Sequence, residues 1–147
     1  LFKVLDSLEM MKKDYSKHWK SSKNPRKQRK YIANAPLHIR RRFLSSLLSK
    51  ELRKKYNRRY LPVRVDDQVT VLRGQFKKSK GKITSVDIKK LKLHLDSAQL
   101  TKKDGSKVFY PIHPSNVMIT NLNLDDKERM KILERTKNVT SEKNKSS

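Results

Sequence analysis

The side chains best suited to proton transfer or metal ligation in this sequence are His18, His38, His94 and His113. None of them falls in the H-E-x-x-H spacing that turns two imidazoles to one face of a helix. There is no cysteine, so disulfides and thiolate metal sites are excluded, and the redox compartment is left open. Asp66-Asp67 could suggest paired carboxylates, but the pair opens an expected strand beside Arg64 and Lys82, and ion pairing with those cations is the simpler role. The stretch GQFKKSKGK lacks the Gly-Lys-Ser/Thr ending of a phosphate-binding loop, and no nucleophile elbow occurs. The expectation is a protein that is not an enzyme and holds no metal and no cofactor.

What remains is charge. The 147 residues carry 38 Lys and Arg against 14 Asp and Glu, a formal net charge of +24 with a pI near 10.4. Self-repulsion of that size calls for a polyanionic partner. Nucleic acid is the first candidate and an anionic membrane surface the second. Lysine or arginine interrupts every apolar cluster well before a membrane-spanning length. Hydrophobic residues make up 34%, which suits one modest domain with extensions rather than a core reaching every position. The charge is uneven: residues 1–60 hold 19 Lys and Arg against 4 acids, residues 61–120 hold 12 against 5, and residues 121–147 hold 7 against 5.

The elements that must position these cations centre on residues 61–96. Val69 and Val71 alternate with Thr70 and Leu72, Ile83 and Val86 mark a second strand, and Leu91, Leu93 and Leu95 a third. Gly74 and Gly81 bracket the loop Gln75-Phe76-Lys77-Lys78-Ser79-Lys80, where glycine permits positive φ and close backbone approach. Asp104-Gly105 signals a hairpin between residues 97–103 and 106–112, and Val117 to Thr120 is a last strand. Short strands with one apolar face predict a small closed barrel.

Ahead of the barrel, residues 12–31 read as a basic arm in which Tyr15, His18, Trp19 and Tyr31 are interleaved with cations, and Pro25 is expected to prevent a continuous helix. Lys20, Lys23, Arg26, Lys27, Arg29 and Lys30 would meet phosphates, with Trp19 or Tyr31 stacked on a base or packed on the body. Pro36 opens a helix whose apolar positions Ile39, Phe43, Leu44, Leu47, Leu48, Leu52 and Tyr56 predict one face packed on the barrel, with Ser45-Ser46 the point at which it could divide into two helices. Arg40, Arg41 and Arg42 lie about 100° apart on that helix, so at least two face outward, where a guanidinium suits bidentate phosphate contact. Asp125-Asp126-Lys127-Glu128 reads as a capping box for a closing helix through Lys137, followed by a disordered tail. Residues 1–11 are too short and too acidic for a signal peptide. Met10 or Met11 is a plausible start, which would make the preceding residues artefactual. The expected division is a basic N-terminal arm over 1–31, a helical segment over 32–60, a barrel over 61–121, and a C-terminal helix and tail over 122–147.

The pattern of Asp, x-Val-x-Val, Gly, aromatic-Lys, Gly-Lys-hydrophobic and Val across the first two strands resembles the KOW motif, a small SH3-like barrel of RNA-associated proteins. The flanks NAPLHIRRRF, LSKELRKKYN, DGSKVFYPIHPSNVMIT and LNLDDKERMKILERTK extend the likeness. In order and spacing they resemble, from about Lys23 to Lys137, the universal KOW-bearing large-subunit ribosomal protein in its eukaryotic and archaeal branch. The resemblance implies a mainly β fold with helical extensions. It also implies an rRNA-binding structural role near the polypeptide exit, and a cytoplasmic ribosomal location after nuclear or nucleolar passage. The implied partners are large-subunit rRNA and neighbouring ribosomal proteins, with no membrane, no small-molecule substrate and no homo-oligomer.

By position, the resemblance puts RNA contacts on the arm cations, on His38 with Arg40 to Arg42, on the loop residues Gln75, Phe76, Lys77, Lys78 and Lys80, and around His113. Arg58, Arg59, Arg73 and Lys82 complete the expected interface. Lys78 stands where the family usually has glycine, in a loop one residue shorter, and Leu47 stands where it usually has proline. Residues before Lys12 have no counterpart. The competing readings are a KOW-type transcription elongation or RNA-processing factor, for which a separate polymerase-binding domain would be expected, and a peptide-binding SH3-like module. Against the latter, aromatics are 7% of the chain, and Phe76, Phe109 and Tyr110 form no obvious cage.

Overall fold

The computed structural model describes Tyr15, His18 and residues 22–143, with side chains through Arg135. The readings made for residues 1–11, for Trp19 and Lys20, and for residues 144–147 of the tail lie outside the described residues. The chain divides into two compact units, Leu1–Phe43 and Leu44–Ser147.

The first unit holds two helices, α1 (Pro25–Asn34) and α2 (Leu37–Phe43). Pro25 does not interrupt a helix, as its reading in the arm had it; it begins one. At the first helical position its missing N–H is no loss and its fixed φ is already helical. Asn24 caps the same end, its Oδ1 accepting from the Arg26 N–H at 2.9 Å. Ala35 is extended ahead of Pro36, which separates the helices. Tyr31 on α1 has Tyr15 on one side (ring centroids 5.1 Å apart) and Phe43 on the other (5.9 Å), and the Tyr15 hydroxyl donates to the Tyr31 oxygen at 2.8 Å.

The second unit opens differently from the helical reading of residues 32–60. Ser45–Leu48 is a strand, β1, with Ser46 and Leu48 buried in alternation. The apolar residues there satisfy a helical period and a strand period equally, and sheet pairing decides. The serines expected to cap a helix lie inside this strand, where the Ser46 hydroxyl donates to the Pro114 carbonyl at 2.8 Å. Ser49 is the cap instead, its Oγ accepting from the Leu52 N–H at the start of α3 (Lys50–Tyr56). There follow β2 (Tyr60–Pro62), β3 (Gln68–Val71), β4 (Lys80–Asp87), β5 (Lys92–Leu95), β6 (Gln99–Thr101) and β7 (Lys107–Phe109). A 3-10 turn (Pro114–Asn116), β8 (Val117–Asn121) and α4 (Lys127–Lys143) complete the unit. The closing helix thus extends past the Lys137 limit expected for it, and Asp126 rather than Asp125 caps it, accepting from the Glu128 N–H at 3.0 Å.

Six strands form one sheet in the order β2-β1-β8-β3-β4-β5, and β6 and β7 form a separate hairpin. Neighbours are antiparallel except β1 and β8. The sheet curls because β4 is long: Lys80 to Lys82 pair with β3, while Ile83 to Asp87 pair with β5, with a register shift between Ile83 and Ser85. A bridge between Leu93 and Ile112 brings the chain after β7 back against β5. The result is a small barrel-like β domain with helical extensions. Val69, Val71, Ile83, Leu93, Leu95, Val117 and Ile119 fill its interior, joined by Leu48, Leu61 and Leu133 of α4.

One polar group sits inside this apolar set. Asp67 is fully buried, and Arg129, one turn before Leu133 on α4, is 3% exposed. Arg129 Nη1 and Nη2 reach Asp67 Oδ1 and Oδ2 at 2.7 Å each, a bidentate pair. The Asp67 carboxylate also accepts the Arg64 N–H and the Asn123 N–H, both at 2.9 Å, and Arg129 donates to the Asn123 and Pro62 carbonyls. The expected partners of the acidic pair are met in part. Asp66 pairs with Lys82 at 2.8 Å, whereas the Arg64 side chain pairs with Asp126 and leaves Asp67 to Arg129.

Removing one member of a buried ion pair strands the other charge, which destabilises by about 3–5 kcal/mol. Arg129→Ala is therefore expected to lower the thermal midpoint steeply, and replacing Asp67 and Arg129 together by leucine to recover little of that loss, because the Arg64 and Asn123 N–H groups and the Asn123 and Pro62 carbonyls then lose their partners. A thermal melt of the three proteins checks this.

Candidate nucleic-acid interface

In the first unit α1 presents a cationic face. Arg29 and Lys30 lie three and four positions after Arg26, on the same side, Lys27 flanks them, Lys23 precedes the cap, and all five are exposed. His38, Arg41 and Arg42 on α2 are exposed as well. Arg40 is different. Its Nε donates to the Ala35 carbonyl at 2.9 Å and its Nη2 to the Ala33 carbonyl, so it satisfies backbone acceptors at the end of α1. Two of the three consecutive arginines face outward, and the third holds the corner between the helices.

In the second unit the β3–β4 loop is a tight, internally bonded turn. Lys78 N–H donates to Val71 O at 2.8 Å, Val71 N–H to Ser79 O at 2.9 Å and Lys77 N–H to Gly74 O at 3.1 Å, while the Ser79 hydroxyl caps Phe76 O at 2.7 Å. Gly74 takes φ +98°, as the bracket reading expected. Gly81 does not take positive φ; its requirement is space. A Cβ there would overlap Asp96 Oδ1 and Ser97 Oγ and stand 3.0 Å from Ser97 Cβ, and Asp96 Oδ1 is already held by the Lys82 N–H at 2.9 Å. The second left-handed residue of the loop is Lys78, at φ +70°, the position where the resemblance has glycine.

Arg73, Gln75, Lys77, Lys78 and Lys80 are exposed around this turn, and Phe76 is half-buried against Tyr110, with ring centroids 5.3 Å apart. His113 caps the 3-10 turn: its Nδ1 accepts the Ser115 N–H at 3.3 Å and lies 2.8 Å from Ser115 Oγ. Burial lowers the His113 pKa, and the charge of Lys92 lowers it further. Loop and turn meet in a cleft of about 130 Å³ that brings Arg73, Gln75, Phe76 and His113 together. Lys92 and Tyr110 line it too, and sequence reasoning did not assign either to a site. Tyr110 entered the sequence reading only beside Phe76 and Phe109, as aromatics forming no obvious cage, and the structure brings its ring to Phe76.

Other expected residues lie elsewhere. Arg58 is half-buried and Arg59 stands over the Tyr60 ring at 5.5 Å, both leading into β2 rather than lining the cleft. Lys82 is engaged by Asp66, whose hydrogen bond raises the lysine's pKa, so its charge is already partly matched. Lys20 lies outside the described residues.

Several acids of the second unit are held by neighbouring groups, and Asp67 among them is fully buried. Asp67 holds Arg129, Asp126 holds Arg64, Asp87 accepts the Lys89 and Lys90 N–H groups, and Asp104 accepts from the Ser106 N–H and hydroxyl. The Asp87 and Asp104 carboxyls are held below their usual range, chiefly by the Lys90 N–H and the Ser106 hydroxyl respectively. Arg73, Lys77, Lys78 and Lys80 carry no ion pair among the described residues. Their charge is uncompensated and faces solvent, the arrangement that attracts a polyanion. Among the described residues no three His, Asp or Glu side chains gather as a metal site, and no helix is long and apolar enough to cross a membrane.

Residues 22–136 match the family model described as ribosomal proteins L26, eukaryotic, and L24, archaeal. The match takes in α1, α2, the whole barrel and the described side chains of α4.

The two special backbone positions of the loop should respond in opposite directions. Lys78→Gly releases a left-handed side-chain-bearing residue and is expected to raise stability by about 0.5–1 kcal/mol. Gly81→Ala forces Asp96 off the Lys82 N–H and is expected to lower it by about 1–3 kcal/mol. Chemical denaturation of both variants reads the two signs.

Proposed function

The chain belongs to the family of eukaryotic ribosomal protein L26 and its archaeal L24 counterpart, with a structural role in the large subunit, and from that premise we propose that it binds and stabilises folded large-subunit rRNA near the polypeptide exit. The observation that carries the RNA-binding reading is the separation of charge. Asp67, Asp87, Asp104 and Asp126 are engaged by backbone donors or ion-pair partners, while the cations of α1, Arg41 and Arg42 of α2 and the cations of the β3–β4 loop face outward. Lysine and arginine neutralise phosphates and release counterions, and a rigid turn fixes register on folded RNA. The position near the exit rests on the resemblance of the motifs quoted above.

Large-subunit rRNA and neighbouring ribosomal proteins are the partners of this reading, without self-association, membrane contact or a small-molecule substrate. The protein acts in cytoplasmic ribosomes after passage through the nucleolus. The family match supports this reading over a KOW-type elongation or RNA-processing factor, which would share the barrel but not the helices on either side of it.

Sedimentation tests the proposal. The protein is expected to travel with the large subunit in a sucrose gradient, to follow it when EDTA separates the subunits, and to stay bound at roughly half-molar salt. Recovery near the top of the gradient would overturn the built-in role. Within the interface, alanine at Arg41 and Arg42 is expected to weaken binding to a large-subunit rRNA fragment and to lower the log–log salt slope by roughly 0.7–0.9 per lost phosphate contact. Arg40→Ala should act first on the thermal stability of the α1–α2 corner. Filter binding at three salt concentrations, alongside thermal melts, separates the two effects.

A further inference from the structure

The cleft between the β3–β4 loop and the chain entering the 3-10 turn has features that phosphate neutralisation does not call for. Two aromatic rings wall it, Phe76 and Tyr110, tilted 50° to each other. Its volume of about 130 Å³ is close to the ~150 Å³ of an apolar cavity that accepts one benzene ring. No acidic side chain lines it, and two cations, Arg73 and Lys92, do. We propose that this cleft receives one unstacked nucleobase of the bound RNA, its ring on Tyr110 and Phe76 and its phosphate against Arg73 and Lys92. The proposal rests on the RNA-binding reading above and adds to it a base-accepting site.

The polar groups of the cleft suit a base edge. Gln75 offers both a donor and an acceptor on one amide. His113 Nδ1 is occupied as acceptor of the Ser115 N–H, so the neutral ring carries its proton on Nε2, and His113 acts as a donor. The lowered pKa of His113 keeps the ring neutral and its cap intact at neutral pH. A cationic guest is disfavoured, because an aromatic cage for one is normally helped by acids and here meets Arg73 and Lys92. Phe109, the neighbour of Tyr110, stacks on His94 at 6.3 Å, so of these two adjacent rings Tyr110 is the one that lines the cleft.

The test uses the full chain and two probes of equal backbone charge, hexauridylate and an abasic ribose-phosphate hexamer. Base–aromatic stacking predicts about 5- to 100-fold tighter binding of the base-bearing probe at moderate salt. Tyr110→Ala should abolish that preference and leave binding of the abasic probe unchanged, while Tyr110→Phe keeps it. Gln75→Ala, in an exposed loop position where folding is not at issue, should reduce it as well. Equal affinity of the wild type for both probes overturns the cleft and leaves the RNA-binding reading standing. A preference that survives in both Tyr110→Ala and Gln75→Ala also overturns it, since the base then stacks elsewhere. Failure of both probes to bind at low salt overturns the cleft and the RNA-binding reading together.

Discussion

A carboxylate with no exposure must have its lone pairs satisfied by the protein, and Asp67 imposes that condition on most of the larger unit. Its two oxygens take both terminal nitrogens of Arg129, the Arg64 N–H and the Asn123 N–H. Those donors come from α4, from the turn between β2 and β3, and from the segment after β8. The solvation of one side chain therefore sets where the closing helix lies, how the first barrel strand is entered and how the last one is left. A buried pair by itself adds little net stability over apolar residues of the same volume, but this one also satisfies four backbone groups. What it contributes is discrimination: a packing that moved α4 would bury an unmatched charge. The Asp67 carbonyl takes part too, accepting the Ile83 N–H and so fastening β4 to the same point.

That use of Asp67 has counterparts nearer the surface. A chain with a net charge of +24 has few carboxylates to distribute, and in the second unit Asp87 and Asp104 satisfy backbone donors while Asp67 satisfies a buried guanidinium. The cations around the β3–β4 loop are left without ion-pair partners among the described residues. Rigidity accompanies exposure at this loop, since its backbone is closed by several turn hydrogen bonds and held by Gly74 and the left-handed Lys78. A fixed array of cations is better suited to a folded polyanion than a flexible one, because less side-chain and loop entropy remains to be lost on binding.

Much of the barrel was legible because period-two alternation speaks directly to which face is buried. Val69, Val71, Leu93, Leu95, Val117 and Ile119 are all in the core, and the Asp104-Gly105 hairpin joins β6 to β7. The misread stretches are those where two local rules compete. Leu44 to Leu48 fits a helix by spacing, yet pairing with β2 and β8 draws it into the sheet. Pro25 is a helix breaker in an interior and a helix starter at the first position, and only the Asn24 cap tells the two apart. Gly81 was read as a place for positive φ and close backbone approach, and only closeness applies, because Asp96 and Ser97 just past β5 lie against it at the end of the β4–β5 pair. The cleft residues Lys92 and Tyr110 carry no local signal, because they are brought to Phe76 and His113 by strand pairing alone.

The amino-acid sequence by itself determined the balance of charge, the absence of cysteine chemistry, the half-buried strands with their hairpins, and the family to which the motifs point. These follow from composition, from side-chain period and from short-range turn rules, which act within a few residues. The tertiary structure alone decided that Asp67 meets Arg129 across sixty-two positions, that Ser45–Leu48 is a strand, that Arg40 holds a helix end while Arg41 and Arg42 face solvent, and that Phe76, Tyr110 and His113 share one cleft. Each of these depends on contacts between residues far apart in the chain. Such contacts form only when the whole sheet buries its apolar face at once, so no local stretch carries them.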